Sequence, residues 1–251
     1  MQPLAYQRSS EAKVLRFQDQ NRPVKNRILL ALPDAEYQTL CPYLNLVVLP
    51  QQTTIYQPGE RLEFAYFPNN GLISLVVVTR EGKTVEAGLV GNEGLLGTPA
   101  VLGLTQSFLR AWVQVAGDGL RMRAEALYNL LPSTPQFQLL ASRQAMIQGM
   151  QAAQLAACNR LHRIEQRLAR WLLMMQDRIE SSSLLVTHDL LAAMLGTDRP
   201  SVSLAAGILQ RKGAIGYTRG VMNILSREKI EESACECYGI MQEFNRTLLL
   251  K

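Results

Sequence analysis

The chain has 251 residues, 47% of them hydrophobic, and a formal net charge of +5. That is enough apolar material for two modest domains, yet no apolar run reaches the ~18 to 20 residues needed to cross a bilayer. The opening MQPLAYQRSSEAKVLRFQDQ lacks the apolar core of a signal peptide, so a cytoplasmic protein without a membrane partner is expected.

Residues 1–25 are polar and without apolar period, and read as a loosely held arm. A short helix is expected at Asp34 to Leu40, with Pro33 marking its boundary and Asp34 placed to accept from the first-turn amides. From Leu46 to about Met122, short β-rich runs alternate with turn formers, which predicts a compact antiparallel barrel or sandwich. Pro58-Gly59, Asn70-Gly71, Glu81-Gly82 and Asp118-Gly119 are read as its turns.

Beyond Ala124 the period is helical, first in AEALYNLL and then in a long run from roughly Gln136 to Ile179. Gln144 to Asn159 holds no charged residue, and Met146, Met150, Ala153, Ala157 and Leu161 recur at helical spacing. Either a buried core helix or a dimer seam accounts for such a stripe, and a helix this long favours the seam.

Leu184 to Leu225 reads as helix, tight turn, helix and hairpin. Thr187 caps HDLLAAMLG, Gly196 permits the turn, and DRPSVSLAAGILQRKG follows with Val202, Ala205, Ala206 and Leu209 facing inward. AIGY and VMNIL then flank Thr218-Arg219-Gly220 as a two-stranded wing with a cationic tip. This is the pattern of a winged helix-turn-helix that reads double-stranded DNA.

Charge agrees with that reading. Between Arg160 and Ile230 eleven basic residues face six acidic ones, so the whole net charge of the chain sits there. Arg199, Ser201 and Ser203 fall on the early, outward part of the second helix, and Arg199 is the expected base reader. Thr187, Thr197, Arg211, Lys212 and Arg219 are candidates for phosphates and flanking contacts.

Enzyme chemistry finds little support. There is no P-loop and no nucleophile elbow, and no histidine stands beside a serine or cysteine to make an activated nucleophile. Gly91, Gly94 and Gly97 differ in spacing from G-x-G-x-x-G and suit turns instead. Cys41, Cys158, Cys235 and Cys237 are scattered without a C-x-x-C pair, which predicts reduced thiols and no metal centre.

The segments AACNRLHRIEQRLARWLL, LAAMLGTDRPSVSLAAGILQRKGAIGYTRG and the closing ACECYG resemble the Crp/Fnr regulators, and the likeness extends over about residues 26–240. The resemblance implies an α+β chain with an antiparallel β-roll sensor of the cupin-like jelly-roll type at 26–134. A long dimerisation helix at 135–162 and a winged helix-turn-helix at 163–251 would follow. It also implies a homodimer on a near-palindromic site, with RNA polymerase as a further partner. The family's guanine-contacting arginine matches Arg199 and its phosphate-contacting position matches Thr187. Pro200 stands where glutamate is common, and Leu204 where a second base-contacting arginine is found, so the operator of the best-known members is not expected.

In cyclic-nucleotide-binding members a Gly-Glu pair holds the ribose and an arginine-containing pair the phosphate. Here Gly97-Thr98 and Leu109-Arg110 take those places. Gly97, Thr98 and Arg110 remain candidates for a ligand, but cyclic AMP is not expected and no cofactor is assigned. An iron–sulfur centre needs about four thiolates, and the sensor half offers Cys41 alone. Haem ligation is opposed by the placement of His162 and His188 in the helical, DNA-binding portion, where His188 is expected to face solvent. The alternative to a regulator is a small-ligand sensor that has lost specific DNA binding.

Overall fold

The computed structural model describes residues 24–247. Two short helices, α1 (Arg27–Leu30) and α2 (Asp34–Leu40), precede the strands β1 (Asn45–Leu49), β2 (Thr54–Tyr56), β3 (Phe64–Pro68), β4 (Leu72–Val78) and β5 (Thr84–Val90). The short helix α3 (Thr98–Val101) leads to β6 (Arg110–Val115), β7 (Gly117–Arg123) and α4 (Ala124–Leu130). The strands form two antiparallel sheets, in the orders β1-β7-β3 and β2-β6-β4-β5. Of the arm read at residues 1–25, 1–23 lie outside the described residues. Val24 is buried, and the Lys25 amide donates to Asn69 Oδ1 at 2.9 Å.

The unbroken apolar run of β4, LISLVVV, has a physical reason. Ile73 and Leu75 point into the interior of the roll, among Leu49, Tyr56, Val90 and Val113. Leu72 and Val76 point the other way, into a core shared with the C-terminal helices. A strand covered on both faces needs no alternation.

One expected turn is corrected. Gly59, Gly71 and Gly82 have positive φ, but Asp118-Gly119 lies inside β7, paired with Val48 and Val47 of β1. Gly119 is needed for close approach instead, because a Cβ there would stand 2.5 Å from the Phe67 carbonyl oxygen.

The helical run read from Gln136 to Ile179 is two helices, α5 (Pro135–Leu161) and α6 (Ile164–Ile179), broken at His162 and Arg163. Arg163 restarts the chain as N-cap, its amide donating to Gln166 Oε1 at 3.1 Å. The start of α5 is capped from a distance: the Glu36 carboxylate of α2 accepts from the amides of Gln136 and Phe137 at 3.0 and 2.9 Å.

The remaining elements are β8 (Ser183–Leu185), α7 (His188–Leu195), α8 (Arg199–Arg211), β9 (Ile215–Thr218), β10 (Val221–Ile224), α9 (Arg227–Ser233) and α10 (Cys237–Thr247). They pack on α6 around the fully buried Trp171. Polar contacts also join this head to the roll. Trp171 Nε1 donates to Glu86 of β5 at 3.1 Å, and Arg178 Nε donates to Glu93 at 2.7 Å in a pair with little solvent access.

The cysteines are not all scattered in space. Cys158 and the pair Cys235 and Cys237, far from it in sequence, form a buried cluster of their own. Among the described residues no helix is long and apolar enough to cross a membrane.

Candidate nucleic-acid interface

The helix-turn-helix forms where local chemistry dictates. Thr187 Oγ1 accepts from the Leu190 amide at 3.2 Å and starts α7. Gly196 ends it in the left-handed conformation at φ +60°, which a β-carbon would strain. Asp198 then caps α8, its carboxylate accepting from the Ser201 amide at 2.8 Å and the Ser201 hydroxyl at 3.0 Å. These bonds hold the Asp198 carboxyl below its ordinary range. Val202, Ala205, Ala206 and Leu209 all face the core, which fixes the rotation of α8.

The opposite face of α8 is open. Arg199, Pro200, Ser203 and Leu204 are exposed, Leu204 at 73%. Arg199 is 67% exposed in its side chain and rests against Asp189 Oδ1 at 3.6 Å, an exposed pairing that contributes little and is readily exchanged. Ser203 is less free, because its hydroxyl lies 2.9 Å from His188 Nδ1 and donates to the Arg199 carbonyl at 3.1 Å.

His188 departs from the expected solvent-facing role. Its ring stacks on Tyr217 of β9 with centroids 4.4 Å apart, and its Nε2 is buried without a hydrogen-bond partner among the described residues. Burial first, and then the Arg199 charge, lower its pKa. The imidazole is therefore a neutral joint between both helices and the wing. The sequence signal was weak: a histidine just inside a capped helix start looks like any surface residue.

The wing closes at Arg219 (φ +45°) and Gly220 (φ +84°), the two-residue turn whose twist suits a hairpin. Its tip lies beside the start of α7, for the Val186 amide donates to the Gly220 carbonyl at 2.9 Å. A Cβ on Gly220 would stand 3.8 Å from the Thr187 methyl. Thr187 and Arg219 thus border one surface. Thr197 sits in the turn, its amide bonded to the Ala192 carbonyl. Arg211 and Lys212 lie at the far end of α8, roughly 18 Å along the axis from Arg199 at 1.5 Å per residue. Lys212 also donates to Ser233 Oγ at 3.2 Å.

Residues 166–233 match the model of the Crp-like helix-turn-helix domain. The transcriptional regulator SdrP of Thermus thermophilus is 30% identical over 186 residues, 70% of this chain and 86% of the relative. The chain belongs to the Crp/Fnr family of transcriptional regulators. A solved Crp/Fnr-family regulator from Thermus thermophilus superposes with a TM-score of 0.59 at 25% identity, over 76% of this chain and 98% of its own. The regulator CLP of Xanthomonas campestris has a TM-score of 0.65 at 14% identity over 77% of this chain and all of its own. In this Crp/Fnr regulator the two-sheet roll, long helix and helix-turn-helix follow the family architecture.

The sensor candidates of the regulator are placed apart in their bonding. Thr98 is buried, and its hydroxyl donates to Gln148 Oε1 of the long helix at 2.7 Å. Gly97 caps α3 at φ +100° and packs on Ala65. Arg110 turns to Gln57, donating from Nε at 2.9 Å. A polar recess of about 490 Å³ opens elsewhere on the roll, bordered by Tyr56, Glu60, Arg61, Tyr66 and Arg121 among others.

Proposed function

We propose that this regulator acts in the cytoplasm as a homodimer on a near-palindromic DNA site, reading bases with Arg199 and clamping phosphates with Thr187 and Arg219. The open outer face of α8, framed by the start of α7 and the wing, carries this reading. Two such helices, held about 34 Å apart, would enter successive major grooves. Leu204 offers an apolar contact of the kind that suits a thymine methyl, so A·T pairs are expected beside the guanine that Arg199 reads. Residues 26–134 would serve as the sensor, α5 as the dimer helix and 163 onward as the DNA head, with RNA polymerase as a further partner of the bound dimer.

The seam is supported by what α5 leaves uncovered. Met146 (67%), Met150 and Leu161 (74%) are exposed in the single chain, as are Ala153 and Ala157, while Ile147, Gln151, Leu155 and Cys158 face inward. Among the described residues nothing covers the stripe, and pairing of two helices along it would bury the methionines against small residues. Met150→Glu combined with Leu161→Glu places charge in that seam, and sedimentation should show a monomer where the wild type is a dimer. A monomeric wild type at micromolar concentration removes the seam.

Selection of DNA from a random pool, followed by titration of the preferred sites at several salt concentrations, tests the whole reading. Enrichment of a two-fold-symmetric site is expected, and salt-sensitive retention with no enriched sequence would sink it. Arg219→Ala should weaken all DNA sequences alike and reduce the salt slope by about one. A change in the preferred sequence would instead make Arg219 a base reader.

A further inference from the structure

We propose that Cys158, His162, Cys235 and Cys237 form a tetrahedral site for one thiophilic divalent cation, zinc in the cell, that staples the joint between the long helix and the DNA-binding head. The ligand atoms of the four residues all lie within 4.8 Å of one another. Cys158 Sγ stands 3.5 Å from Cys235 Sγ, and Cys237 Sγ 3.6 Å from His162 Nδ1. With Zn–S about 2.3 Å and Zn–N about 2.0 Å, neighbouring ligands of a tetrahedron are roughly 3.4 to 3.8 Å apart. The set has the size of one ion. An iron–sulfur cluster spreads its thiolates around several metal atoms and does not fit between sulfurs this close.

The surroundings complete a metal site. The other ring nitrogen of the histidine, His162 Nε2, lies 3.1 Å from Glu236 Oε1, the carboxylate contact that orients a ligating imidazole. Gln154 Nε2 donates to Cys237 Sγ at 3.0 Å. The three thiols are buried.

The local charge is compatible with such a site. Arg170 is 1% exposed; among the described residues its Nε has no partner and its hydrogen bonds run to the sulfurs of Met174 and Met241. A buried guanidinium needs a nearby negative charge. Arg170 lies within electrostatic reach of both Cys158 and the Glu86 carboxyl. Three thiolates, one imidazole and Zn²⁺ carry a net charge of −1, which with Glu86 offsets the two buried guanidiniums of Arg167 and Arg170. On binding, the three thiols release their protons to solvent and no electron is transferred.

The four ligands come from three segments. Cys158 lies in the last turn of α5, His162 at the break before α6, and Cys235 and Cys237 where α9 passes to α10. A bound ion fixes the long helix to the head at the point where the helix is interrupted.

Full-length protein purified under reducing conditions without added metal should contain about one zinc per chain by mass spectrometric elemental analysis. After chelation and exchange with Co²⁺, it should show the strong visible bands and thiolate charge transfer of tetrahedral cobalt, saturating at one equivalent. Cys237→Ser and His162→Gln should weaken Co²⁺ binding by at least tenfold, while Cys41→Ser, outside the cluster, should leave it unchanged. Because a ligand variant can fail to fold, the wild-type Co²⁺ titration stands as a separate test. Protein without zinc that also gives no thiolate–cobalt spectrum overturns the site, as does metal-free protein carrying a Cys158–Cys235 disulfide, which would make the pair a redox couple. A cobalt spectrum unaltered in both variants, shown folded by circular dichroism, overturns the ligand assignment.

Discussion

Glu86→Gln is expected to raise the thermal midpoint at pH 8 and to leave it nearly unchanged at pH 4.5. Glu86 is fully enclosed between β5 and α6, accepting from Trp171 Nε1 and from the Ser74 hydroxyl. Burial outweighs those bonds and the charges of Arg170 and Arg178, and lifts its pKa from 4.5 to about 7. The folded chain thus holds the proton more tightly than the unfolded chain. The stabilisation from the protonated carboxyl is complete below pH 4.5 and is lost as pH rises through 7, where the folded state must shed its proton or carry a buried charge. A shift of this size corresponds to about 3 kcal/mol at 1.36 kcal/mol per unit. For a chain of this length that is roughly 5 to 10 °C in midpoint. Glutamine keeps the acceptor for Trp171, and its amide nitrogen donates to Ser74, so the variant mimics the protonated form at every pH. Scanning calorimetry of both proteins from pH 4.5 to 8 checks this, and identical pH profiles would show that Glu86 does not titrate in this range. Because Glu86 joins the roll to the head, the same proton tightens the contact between the two.

The parts of the DNA interface that were legible in the sequence are those fixed by neighbours in the chain. Thr187, Gly196 and Asp198 act within four residues of themselves, through caps and a left-handed backbone, and Val202 to Leu209 follow the helical period. What stayed hidden depends on distant partners. The break at His162 lies between two helices with no glycine or proline to mark it. Glu36 caps a helix 100 residues away. The thiol cluster joins Cys158 to Cys235 across 77 residues, and C-x-C with a C-x-x-x-H far upstream matches no compact ligand spacing. The seamless apolar run of β4 did hold a clue to the shared core of roll and head, because a strand covered on one face alone alternates.

Arg199→Ala is expected to abolish the preference for guanine at one position of each half-site while retaining most affinity for phosphate. The guanidinium projects from the first residue of α8, exposed and, among the described residues, held only by Asp189 at 3.6 Å. Asp198 and Ser201 fix the backbone from which it leaves. A bidentate pair with guanine O6 and N7 discriminates by ~1 to 3 kcal/mol, about 5- to 150-fold against another base. Removing it takes away that discrimination and one positive charge, so the salt slope changes far less than the sequence profile. Asp189→Asn provides the contrast: releasing the weak ion pair should leave the guanine preference in place, because the exposed pair is replaced by water at little cost. Selection from the same random pool reads both variants. A sequence profile unaltered by Arg199→Ala would transfer base reading to Ser203, Leu204 and the shape of the groove.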